Sequence, residues 1–89
     1  MINEIGQGYL IAGIVQQAVK DYKNSLRYMI RKGQMDEHFN LTDESYSDTE
    51  SYKLMCECEL FFNSEWFKYL TGTTAGEQII ERVRKEVVG

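Results

Sequence analysis

The sequence predicts an all-α fold, a small bundle of three main helices with a polar linker after the first. Three observations lead there. The 89 residues contain no Pro, the commonest helix-breaker, which favours helix over turn-rich β structure. Apolar residues recur at i, i+3 and i+4 along most of the chain, the signature of one buried helical face. Two pairs at capping-box spacing, Ser47–Glu50 and Thr74–Glu77, stand just ahead of such stretches. A chain this short buries roughly 60–65% of its unfolded surface and supports one core, so residues 1–89 read as a single helical domain.

Helix one is expected over about residues 8–32. Ile11, Ile14, Val15, Ala18, Val19, Tyr22, Leu26, Met29 and Ile30 share one face, and Lys20, Lys23, Arg27 and Arg31 form a basic stripe opposite. Gly33 follows the last periodic residue, with Arg31 and Lys32 in the final turn, a helix stop. Residues 33–47 show neither helical nor strand period. They read as a mobile linker, with Phe39 or Leu41 as its anchor to the core. Its length argues that it is not wholly structureless.

Helix two is expected over about residues 48–63, with Tyr52, Met55, Cys58 and Phe62 as its apolar stripe. Asn63-Ser64 leaves two readings. Ser64 N-caps a short fourth helix over 64–71, or helix two continues and Trp66 and Tyr69 extend its stripe. Helix three is expected over about residues 74–88. Ile79, Ile80, Val83 and Val87 give it one apolar face, with Gln78, Glu81, Arg82 and Lys85 opposite.

The charge balance narrows the function. The net charge is −4, against generic phosphate binding, which needs a positive surface. Residues 1–35 hold five bases and two acids, a net +3, while residues 36–64 hold one base and eight acids, a net −7. Cys56 and Cys58 are the only cysteines. Two residues apart on a helix they diverge by about 200°, so they neither bridge each other nor share a metal. Free thiols fit a reducing cytosol. With one histidine, His38, no closed set of four zinc ligands can be assembled, and neither metal nor cofactor is expected. Asp43, Glu44, Asp48 and Glu50 lack the Gly and spacing of an EF-hand loop. The N-terminal apolar stretch has no basic lead and reads as a helix start, and no apolar run reaches the ~20 residues a bilayer requires.

Four features are candidates for contact with something else. Glu59 falls inside the apolar stripe of helix two, where a carboxylate must find a partner. Its expected role is an ion pair or a cap, with a base from helix one as one candidate partner, and with no second acid, base or nucleophile nearby it is not read as catalytic. Phe61, Phe62, Trp66 and Phe67 are four bulky rings that cannot all point inward. Phe61 or Phe67 is expected near the surface, and Phe61, Trp66, Phe67 and Glu59 are the candidate contacts for a protein partner. Lys20, Lys23, Arg27 and Arg31 on helix one, or Arg82, Arg84 and Lys85 on helix three, are the candidate contacts if the partner is nucleic acid. The acidic middle, through Asp43, Glu44, Asp48 and Glu50, offers a mimic of nucleic acid.

Residues 18–22 and 58–80 also resemble a known group. Ala18-Val19-Lys20-Asp21-Tyr22, then Cys58-Glu59, Phe61-Phe62, Ser64-Glu65-Trp66-Phe67, Leu70-Thr71, Gly76-Glu77 and Ile79-Ile80, are similar to a family of small proteins of phages, prophages and integrative elements of Gram-positive bacteria. Asn63 stands where that pattern has a base, and Ala75 where it has an acid before Gly76. The resemblance implies a mobile-element origin and a bacterial cytoplasm, with no catalytic residues to carry over. The expectation is a non-enzymatic accessory protein acting through protein–protein contacts. A DNA-binding regulator and an acidic inhibitor of a host nucleic-acid-binding defence protein are the alternatives. No membrane association is expected. A short chain with surplus aromatics also admits a homodimer.

Overall fold

The computed structural model describes residues 2–72 and 76–88, with backbone alone for residues 2–12 and for Leu70. It is predominantly helical, with four α-helices and no strand among the described residues. The helices are α1 (Ile2–Arg31), α2 (Glu50–Phe62), α3 (Glu65–Thr71) and α4 (Gly76–Val88). At 1.5 Å per residue the 30 residues of α1 span about 45 Å, against about 20 Å for α2 or α4. The first helix therefore sets the long dimension of a 50 × 25 × 19 Å body. Both α2 and α4 pack on it and on each other.

α1 begins at Ile2, earlier than the expected start near residue 8. It ends as expected. Gly33 takes the left-handed conformation (φ 73°), its N–H donates to the carbonyl of Ile30, and Gln34 N–H donates to that of Met29. This double bond closes the helix and stops its carbonyls from going unpaired.

Residues 33–47 form an ordered strap, not a mobile linker. The Asp36 carboxylate accepts from the backbone N–H groups of His38 and Asn40, at 2.8 and 3.0 Å. This Asx arrangement supplies the partners that a helix or sheet would otherwise provide. Met35 pairs with Leu41 in an isolated antiparallel bridge, and Met35 is buried. Asp43 then caps a 3-10 turn over Glu44–Asp48.

α2 is capped by Thr49, whose hydroxyl oxygen accepts from Tyr52 N–H, and not by the Ser47–Glu50 box. Ser47 lies inside the preceding 3-10 turn, where it cannot take that role. At Asn63-Ser64 the chain breaks. Ser64 Oγ donates to the Phe61 carbonyl (2.6 Å) and accepts from Phe67 N–H (3.0 Å), closing one helix and opening the next. Gly72, left-handed at φ 71°, ends α3. The Thr74–Glu77 pair falls partly outside the described residues.

The core runs through Tyr22, Leu26 and Met29 of α1, Met55, Cys58 and Phe62 of α2, Phe67 of α3, and Ile80 and Val83 of α4, with Met35 from the strap. Phe67 meets Phe61 and Phe62 edge-on at centroid distances of 5.5 and 5.8 Å, and Phe62 meets Tyr22 likewise at 5.9 Å. These T-shaped contacts set the positive ring edges against negative faces. Gly76 opens α4 hard against α2. A Cβ there would land on the carbonyl of Phe62, with the carbonyl carbon only 2.7 Å away, so no other residue permits this approach.

Candidate functional site

Two arrangements stand out, one inside the bundle and one on its surface. The internal one joins three helices. Tyr22 of α1 donates its hydroxyl to Glu59 Oε2 of α2 at 2.6 Å. Arg84 of α4 donates from Nη2 to the same oxygen at 3.0 Å and from Nε to the Tyr22 hydroxyl at 3.1 Å. From the strap, Phe39 lays its ring 5.0 Å from the Arg84 guanidinium, and does so at φ 66°, a left-handed conformation that costs a phenylalanine energy. Burial above all, and then the bond to Glu59, holds the Tyr22 phenol well above its ordinary range. The proton therefore stays on tyrosine, and the group is a donor rather than a base. Each member has its partners inside the group, which suits a structural clamp.

Glu59 is thus ion-paired, but with Arg84 of the last helix and not with a base of helix one. The sequence carried the signal for this. Arg84 sits 40° from Ile80 on its helix, between Ile80 and Val88 at the edge of the apolar stripe, and Glu59 sits 40° from Met55 within the stripe of α2. Two opposite charges, each alone in an apolar stripe, predict each other.

That pairing also removes Arg84 from the expected nucleic-acid face of the last helix. Lys23 is likewise engaged, donating to Glu86 at 2.9 Å, and Arg82 lies 3.8 Å from the same carboxylate. Lys20, Arg27, Arg31 and Lys85 remain exposed, but Glu86 interrupts the positive surface between the two helices. His38 is exposed, 3.9 Å from Glu37, and no metal-binding cluster occurs among the described residues.

The surface arrangement lies on α3. Phe67 turns inward and is only 2% exposed, so it is core and not a contact residue. Phe61 is half-buried. The ring left outside is Trp66, 59% exposed, and beside it Tyr69 is 81% exposed. The two stack at 6.0 Å with planes 16° apart. The break at Asn63-Ser64 explains the outcome, because restarting the helix at Ser64 sets Phe67 rather than Trp66 against Phe62. Leu60, on the neighbouring helix, is 72% exposed.

The fold and these two arrangements define a small all-α bundle with an internal polar clamp and an aromatic surface pair. No family model, curated protein or solved structure matches the chain. No described helix is long and apolar enough to cross a membrane.

Proposed function

We propose that this chain is a non-enzymatic accessory protein of a phage or related mobile element, and that it works by docking on another protein through the outer face of α3. The observation that carries the reading is the stacked, exposed pair Trp66–Tyr69. Large aromatic rings with one polar atom each dominate protein contact energies because they bury much area while losing few torsions. Stacking in the free molecule lowers the ordering cost further. The mobile-element part of the reading rests on the resemblance of residues 58–80. Occupying a partner's surface needs no reactive group, and the clamp of Tyr22, Glu59 and Arg84 is directed inward at its own members.

The test is affinity capture from a nuclease-treated bacterial lysate, comparing the tagged protein with a Trp66→Ala/Tyr69→Ala double variant. Both side chains are exposed, so circular dichroism should show the variant folded. A discrete protein captured by the native chain and lost with the variant is the expected result. Capture that vanishes with nuclease treatment, or that the double variant retains, would overturn the reading.

A further inference from the structure

We infer that the groove between α1 and α2 receives an amphipathic helix of the partner, one carrying basic side chains beside its apolar stripe. The inference rests on the protein-docking reading above and names the chemistry of what docks. The groove encloses about 550 Å³ and is open along one side. Ile14 and Ala18 of α1 and Leu54, Cys58 and Phe61 of α2 form an almost wholly apolar lining. Ile14 and Leu54 are exposed, so the surface is unfilled in the isolated chain. From Gly13 to Asp21 it runs eight residues, about 12 Å or two helical turns, the footprint of anchors at i, i+3, i+4 and i+7.

Charge selects among possible occupants. Asp21 and Glu57 line the groove on its two sides. Asp21 accepts only the Gln17 amide (2.8 Å), and Glu57 has no ion-pair partner among the described residues. An apolar floor between two unneutralised carboxylates favours a helix with bases flanking its apolar stripe and disfavours one flanked by acids. A second copy of this chain fits less well. Among the described residues, exposed Lys20, Arg27 and Arg31 accompany only Tyr28, and exposed Arg82 and Lys85 of α4 accompany Glu81. Neither helix presents a two-turn apolar stripe between bases.

Gly13 makes the test clean. A Cβ at this position meets nothing within 4 Å, and Gly13 lines the groove, so Gly13→Leu starts a side chain from open space at the groove's edge. The probe is a fluorescein-labelled peptide of about 18 residues, about five turns, with Leu at i, i+3, i+4 and i+7 and Lys flanking them. A counterpart carries Glu in place of Lys. Anisotropy titrations should show saturable binding of the Lys peptide, weakened about tenfold or more by Gly13→Leu and by the Glu counterpart. Glu57→Lys, an exposed change that leaves the floor intact, should erode the preference for Lys. Absence of saturation, equal binding of both peptides, or indifference to Gly13→Leu would overturn the inference. So would sedimentation showing a dimer that Gly13→Leu dissociates, since the occupant would then be a second copy. Loss of the peptide result with retention of the lysate partner at Trp66–Tyr69 would sink this inference and leave the docking reading standing.

Discussion

Glu59 lies 37 residues from Tyr22 and 25 from Arg84, yet all three share one part-buried cluster of hydrogen bonds. Removing one member leaves the others wanting partners, which costs more than the bond itself. Arg84→Met should lower stability by about 1–2 kcal/mol, discounted for partial exposure, and Tyr22→Phe by about 1 kcal/mol. Urea midpoints would check both, and a neutral Arg84→Met would refute the clamp. A second residue-scale expectation concerns Cys58. Burial first, then Asp21, Glu57 and Glu59, raises its thiol to about 11 from an ordinary 9.0. The unfolded chain therefore sheds this proton first, so stability holds below pH 9.0 and falls as pH rises toward about 11. Urea midpoints across that window should fall less steeply for Cys58→Ala than for the native chain. The acid of the clamp was legible in the sequence as a carboxylate in an apolar stripe. Its partner is less legible, because Arg84 stands next to the outer bases Arg82 and Lys85 in sequence while belonging by spacing to the inner face.

At the scale of the element, two glycines make opposite predictions. Gly76→Ala drives a methyl into the Phe62 backbone, which cannot yield as a side-chain tip could. It should cost about 3 kcal/mol or more by forcing α4 off α2. Gly13→Ala sits in a helix facing open space and should stabilise by roughly 0.5–1 kcal/mol. Thermal melts of the pair would settle both signs. The helices themselves were legible because periodicity and absence of Pro agree over long stretches. The boundaries were less so. Thr49, not Ser47, caps α2, since a 3-10 turn absorbed the earlier residues. The strap is not legible, because it is held by Asp36 bonding nearby backbone N–H groups and by Met35 and Phe39 reaching the core. Those contacts have no period to detect.

For the molecule as a whole, a core that includes ten buried apolar residues among those described supports three helices around one long one. Among the described residues, Ile14 and Leu54 at the groove and Trp66 and Tyr69 on α3 stay exposed. The sequence marks Trp66 as a candidate contact, but neither its pairing with Tyr69 nor the groove is legible there. The groove depends on how α1 and α2 pack side by side, which sequence spacing within each helix does not specify, and Trp66 faces outward because the chain restarts at Ser64. That outward position has an optical consequence. The single tryptophan is bathed in solvent in the native state, so its emission is already that of a hydrated indole, and urea should shift it little while the helical dichroism collapses. Intrinsic fluorescence will thus be nearly blind to unfolding. It should turn blue when α3 is covered, which makes Trp66 a built-in reporter of docking that needs no label.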